Sequence, residues 1–166
     1  FSKLDLKKES FTFETIELVE YMHDFVEKLH LDLVQKGIQI HHHSPKKTIY
    51  VIADREKLKR VLVNLINNCV KYMNKDAQYI SIQMHEGPFD AVVEVTDNGY
   101  GIEPSALPFI FNRFYRAEKS RNSRTGGSGL GLAIAKHIIE EHEGEIWATS
   151  EKGKGTSVFF SLKKGV

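Results

Sequence analysis

Asn64, Asn68 and Lys71 fall at i, i+4 and i+7, so a helix drawn through them turns all three toward one side. Their chemistry suits a phosphorylated ligand. An asparagine amide oxygen is a hard, neutral ligand for Mg²⁺, which keeps several waters and also takes phosphate oxygens. A lysine ammonium is a compact charge for a phosphate. Tyr72 follows, with a ring that can pack against a base or a ribose. Taken alone, the same face reads more readily as an ordinary solvated one, and it is the downstream clusters that reverse this.

Asp97 opens a second cluster, Asp97-Asn98-Gly99-Tyr100-Gly101-Ile102. A carboxylate there can accept the exocyclic amine of adenine and would repel the carbonyl that guanine carries at that position. Gly99 and Gly101 let a backbone approach a ligand where a β-carbon would block it. A plain Asp-Asn-Gly turn is the competing explanation. The third cluster, Gly127-Ser128-Gly129-Leu130-Gly131-Leu132, stands before an apolar helical stretch. Bare amides at a helix start can cradle phosphates, and a flexible hinge is compatible with the same residues. Neither a strand-linked dinucleotide fingerprint nor a G-x-x-x-x-G-K-[ST] loop is present. Between the second and third clusters, residues 113–124 hold Arg113, Arg116, Lys119, Arg121 and Arg124 against one acid, Glu118. That imbalance fits a loop closing over an anion.

In this order and spacing, Asn64-Leu65-Ile66-Asn67-Asn68-Cys69-Val70-Lys71-Tyr72 and the two glycine clusters resemble the N box and glycine boxes of bacterial sensor histidine kinases. Phe109-Ile110-Phe111-Asn112-Arg113-Phe114-Tyr115-Arg116 resembles their F box, and Gly153, Gly155 and Thr156 resemble the last glycine box. The resemblance implies the Bergerat-type fold shared with gyrase, Hsp90 and MutL proteins, with a long ATP lid at about 97–128. It implies ATP and Mg²⁺ as cofactors, with Asn68 as the metal ligand. Asn64, Lys71 and Arg116 become the catalytic set, Arg116 approaching the γ-phosphate. Nucleotide binding falls to Asn68, Tyr72, Asp97 (the adenine reader), Gly99, Gly101, Ile102, Gly127, Ser128, Gly129, Leu130, Gly131, Leu132 and Thr156.

The implied reaction is transfer of the γ-phosphate to a histidine on a separate dimerisation and phosphoacceptor domain, the phosphate then passing to a response regulator. His23, in Tyr21-Met22-His23-Asp24-Phe25, lacks the acceptor context of such kinases. Residues 1–13 are expected to lead out of that acceptor domain, and 14–166 to form the catalytic domain. The parent is expected to be a membrane-bound homodimer with this part cytoplasmic, and the fragment monomeric. Alternatives are an ATP-hydrolysing clamp or an anti-sigma-like serine kinase. The clamps place a glutamate four residues before the Mg²⁺-binding asparagine, where this chain has Asn64, an amide that takes no proton at neutral pH.

Bulk properties are consistent with one domain. A chain of 166 residues, 41% hydrophobic and 27% charged, can bury a substantial core. A net charge of +1 gives no global attraction to nucleic acid. The single cysteine, Cys69, allows no internal disulfide and reads as a small buried hydrophobe. The three adjacent histidines His41-His42-His43 cannot all face one ion from a strand.

Positioning the clusters requires helices at about 14–36, from Asp54 onward, and at about 130–142. Each has apolar residues at three- and four-residue steps. Strands are expected at 38–43, 48–52, 79–85 and 91–96, around Trp147, and after Gly153-Lys154-Gly155. The fold predicted is a two-layer α/β (α+β) sandwich: a mixed, mainly antiparallel sheet with three helices on one face.

Overall fold

The structure, a computed structural model, describes residues 10–43, 45–71, 73, 77–113 and 131–165. Among these residues the strands and α-helices follow in chain order: β1 (Glu14–Glu17), α1 (Leu18–Gln35), β2 (Ile38–His42), β3 (Tyr50–Ala53), α2 (Arg55–Lys71), β4 (Gln78–Glu86), β5 (Asp90–Asp97), α3 (Gly131–Glu141), β6 (Ile146–Glu151) and β7 (Gly155–Lys163), with a short 3-10 turn at Leu107–Phe109.

Strand alternation decides the layering. In β5, Ala91, Val93, Val95 and Asp97 are buried while Val92, Glu94 and Thr96 are half-buried. In β7 the buried set is Thr156, Val158, Phe160 and Leu162, joined by Gly155 and Ser161. The helices supply the matching surface. Leu58, Val61, Leu62, Leu65, Ile66 and Cys69 make one continuous stripe along α2, and all six are buried in the core. Each such large apolar side chain contributes about 1.5–3 kcal/mol on leaving water. From α3 come Ala135, Ile138 and Ile139; from α1 come Leu18, Met22 and Leu33.

The main sheet has the order β2-β4-β5-β7-β6, parallel between β2 and β4 and antiparallel elsewhere. The mixed, mainly antiparallel sandwich expected from the sequence is therefore present. Its registers matter for the site: Asp97 lies opposite Ile80 on β4 and opposite Thr156 on β7.

One boundary differs from expectation. Glu14–Glu17 is a strand, pairing antiparallel with β3, and not the first turn of α1. Ile16 fills the core opposite Val51, which needs extended geometry. Glu17 then starts the helix itself, its carboxylate accepting the N–H groups of Val19 (2.9 Å) and Glu20 (3.2 Å) and that of Ile49 (2.9 Å). A carboxylate at that point also complements the helix dipole.

Candidate functional site

Asp97 ends β5 on the helix-covered face and is only 4% exposed. A buried carboxylate is costly unless hydrogen bonds meet it. The backbone N–H of Gly99 donates to Oδ1 at 2.8 Å. The thiol of Cys69, on α2, donates to the same carboxylate; burial, then the Asp97 charge and this hydrogen bond, push the thiol well above its ordinary range. Asp97 is thus held from two sides, by its own turn and by the N-box helix. Sequence reading placed Cys69 correctly as buried but missed this contact, which depends on the rotation of α2 over β5.

The glycine boxes at the ends of β5 and β7 pack against one another. A β-carbon on Gly155, at φ +135°, would lie 2.0 Å from the carbonyl oxygen of Asp97. One on Gly101, at φ +80°, would lie 2.4 Å from that of Glu151. Only glycine allows two backbones this close in these conformations. Ser150 knits the region together. Its Oγ accepts the N–H of Ile102 at 2.8 Å, donates to Gly155 O at 2.9 Å and lies 2.8 Å from Thr156 Oγ1. The Gly153 N–H adds a bond to Tyr100 O at 2.7 Å, and Lys152 pairs with Glu103 across the same junction. Ser150 is a site residue that the sequence reading did not single out. The strand register opposite Thr156 is the signal that identifies it.

On α2, Asn64, Asn68 and Lys71 are all half-buried, on the border between the apolar stripe and solvent. Asn64 Nδ2 donates to Gly131 O at 3.0 Å, joining α2 to the first residue of α3. Leu132 and Phe111 pack against both the main core and a small second cluster of Ile102, Ala106 and Ile110. The described half of the F box is therefore anchored beneath the first glycine box, while Phe109 is 48% exposed.

Of the sequence-derived set, the structure brings together Asp97, Gly99, Gly101, Ile102 and Thr156 at the strand ends. It links Asn64 to Gly131, and it keeps Asn68 and Lys71 on the face of α2 that carries Asn64. Tyr72, Arg116, Gly127, Ser128, Gly129 and Leu130 lie outside the described residues. Of the adjacent histidines, His41 stacks on Tyr79 at 4.9 Å, on the face away from the helices. No described helix is long and apolar enough to cross a membrane.

Comparison with known proteins adds family information. Residues 53–166 match the family model described as histidine kinase-, DNA gyrase B-, and HSP90-like ATPase. The sensor histidine kinase WalK of Bacillus subtilis (strain 168) is 36% identical over 162 residues, covering 97% of this chain and 26% of that protein. The chain thus spans about a quarter of that relative's length. Among solved structures, the nucleotide-free catalytic domain of histidine kinase ThkA superposes with a TM-score of 0.79 at 25% identity, covering 93% of this chain and 99% of that one. Full-length ShkA in complex with AMPPNP gives 0.74 at 25% identity, covering 95% and 33%.

Proposed function

The chain belongs to the histidine kinase-, DNA gyrase B- and HSP90-like ATPase family, and from that premise we propose that it is the ATP-binding catalytic part of a sensor histidine kinase. It binds Mg²⁺-ATP and presents the γ-phosphate to a histidine on a separate phosphoacceptor domain, from which a response regulator takes it. The likeness to the sensor histidine kinase WalK of Bacillus subtilis supports the class. The observation that carries the chemistry is the buried Asp97 carboxylate, held by Gly99 and Cys69 at the end of the sheet.

That carboxylate is an acceptor for the adenine amine, and the Thr156 hydroxyl lies opposite on β7. Asn68 and Lys71, three residues apart on the same half-buried face, are assigned to the polyphosphate end. Asn68 would hold Mg²⁺, which when bound neutralises charge on the phosphates. Arg116 is assigned to the γ-phosphate, where a guanidinium opposes the charge developing in transfer. Tyr72, Gly127, Ser128, Gly129 and Leu130 are assigned to the nucleotide with it. Hydrolysis by an ATPase clamp is disfavoured because Asn64 donates its amide to Gly131 and carries no basic oxygen pair to accept a proton from water.

The full kinase is expected to be a membrane-bound homodimer, its catalytic part cytoplasmic. Nucleotide titration of the parent, Asn68→Ala and Asp97→Ala, with and without Mg²⁺, tests the pocket. Asp97→Ala should weaken binding about 10- to 100-fold, the range of a hydrogen bond to a charged group. Asn68→Ala should remove mainly the Mg²⁺-dependent part. Equal affinity in all three proteins would dismiss the assignment. With labelled ATP, phosphate should reach a supplied acceptor domain and not this chain.

A further inference from the structure

Residues 11–13 meet the start of α2 and the end of α3 at a joint that the nucleotide reading does not use. The backbone N–H of Thr12 donates to Asp54 Oδ2 at 2.7 Å, while Asp54 Oδ1 caps α2 through the N–H of Lys57 at 2.9 Å. The N–H of Asp54 itself donates to His142 Nε2 at 3.1 Å, and His142 Nδ1 bonds Ile138 O at 2.8 Å. An amide N–H only donates and a carbonyl only accepts, so this ring is neutral, with its proton on Nδ1. Phe11 and Phe13 stack on each other at 5.6 Å, and both meet the His142 ring edge-on, at 5.8 and 5.0 Å. Asp54 and His142 are 6% and 5% exposed, so the two bonds made by the His142 ring lie away from water.

The joint has a counterpart at the other end of the helix pair. From Asp54 to Asn64 along α2 is about 15 Å, and from Gly131 to His142 along α3 is about 16 Å, at 1.5 Å per residue. The Asn64–Gly131 and Asp54–His142 bonds therefore clamp two antiparallel helices at matched spacing. Sliding one helix along the other breaks both.

We propose that His142 is a positioning residue that couples the seating of residues 11–13 to the α2–α3 pair, so that nucleotide binding and the seating of these residues stabilise each other. The proposal rests on the nucleotide reading above, because α2 carries Asn64, Asn68 and Lys71 and α3 starts at Gly131. Coupling of this kind is reciprocal: whatever tightens one end tightens the other by the same factor.

Protonation state gives the joint a signature that mere packing lacks. The ionisable groups acting on the ring are Asp54, from the start of α2, and Glu141, on its own helix; Phe11 and Phe13 bring no charge. Burial opposes both carboxylates and holds the ring below the ordinary histidine range. A proton added at Nε2 would face the Asp54 N–H, donor against donor. Seating is complete above the ordinary histidine value, about 6.5, and is lost as pH falls toward the lowered one.

Amide hydrogen exchange at Thr12 in the 166-residue chain, corrected for the intrinsic rate at each pH, reads the seating directly. AMPPNP with Mg²⁺ should raise Thr12 protection about tenfold, within the usual range of coupling between sites. Protection should also fall between about pH 7 and about pH 5.5. His142→Phe keeps a ring against Phe11 and Phe13 but makes neither hydrogen bond, and should lose both responses. His142→Gln regains a donor and an acceptor, and should recover the nucleotide response without the pH response. The same nucleotide and pH responses in His142→Phe as in the parent would overturn the proposal. If His142→Phe does not fold, Phe13→Ala replaces it: Phe13 is 46% exposed, and its loss should lower Thr12 protection and weaken the nucleotide response. An unchanged response there overturns the proposal too. Calorimetry on the parent shows separately whether AMPPNP binds. If it does not, the nucleotide reading and the coupling fall together; the pH arm then decides the joint, and pH-independent protection refutes that as well.

Discussion

Asn64 donates its side-chain amide to the carbonyl of Gly131 across 3.0 Å, so the helix bearing the polar face is fastened to the residue of the third glycine cluster at which α3 starts. The donor is what matters at this position. Asn64→Ala should cost about 1 kcal/mol, the net worth of a typical hydrogen bond. Asn64→Asp should cost more, because a carboxylate would face a carbonyl with no proton between them. Urea denaturation at neutral pH checks the order; an aspartate variant as stable as the parent would remove Asn64 from this role.

Gly155 and Gly153 provide a matched comparison two residues apart. Both have positive φ, but a β-carbon at 155 would strike the Asp97 carbonyl at 2.0 Å, whereas one at 153 would meet nothing within 4 Å. Gly153→Ala should therefore lose only the conformational term, about 1 kcal/mol. Gly155→Ala must push the end of β5 aside, and should lose nucleotide affinity along with a larger share of stability. Thermal melting with nucleotide titration separates them. Equal effects at both positions would show that the close approach to Asp97 is unimportant.

These contacts mark where sequence reading succeeds and where it stops. The stripe from Leu58 to Cys69 and the strand pattern at 91–96 are local, so the helix and the strand were legible; the burial of the Asp97 carboxylate was not. Glu17 as a helix cap was not, because its value depends on Ile16 pairing with Val51, far along the chain. The same holds for Asp54 and His142, 88 residues apart, and for Ser150, whose partners follow from the β6–β7 register. Periodicity says which face is buried. It does not say which residue of another element lies beneath that face.

Cys69 should be a poor nucleophile in the native protein. Its thiol is pushed well above the ordinary range by burial, by the Asp97 charge and by the hydrogen bond to Asp97, and the thiolate is the reactive form. Ellman's reagent at pH 8 should label it far more slowly in the folded protein than in urea. Cys69→Ser, which keeps a donor toward Asp97, should bind nucleotide more tightly than Cys69→Val. The reverse order would mean that Asp97 does not depend on this donor.

His42 makes the pH dependence of stability predictable in sign. It lies in β2 with both ring nitrogens buried and without a hydrogen-bond partner among the described residues. Burial first, then the neighbouring His23 and His43, lower its pKa. In the unfolded chain the ring takes a proton near the ordinary value of about 6.5; in the folded protein it resists until the lowered value is reached. Between the two, the unfolded state holds more protons, so acidification favours unfolding. The full contribution is present above about pH 6.5 and disappears as pH falls through that window. His142 is depressed for the same dominant reason and acts in the same direction. The urea midpoint should accordingly drop between about pH 7 and about pH 5. His42→Leu should leave part of that slope, since His142 remains, but raise the midpoint most at the acid end. Removing two unpartnered buried nitrogens should also add about 1 kcal/mol at pH 8. A variant whose stability falls with acid as steeply as the parent's would place the proton uptake elsewhere.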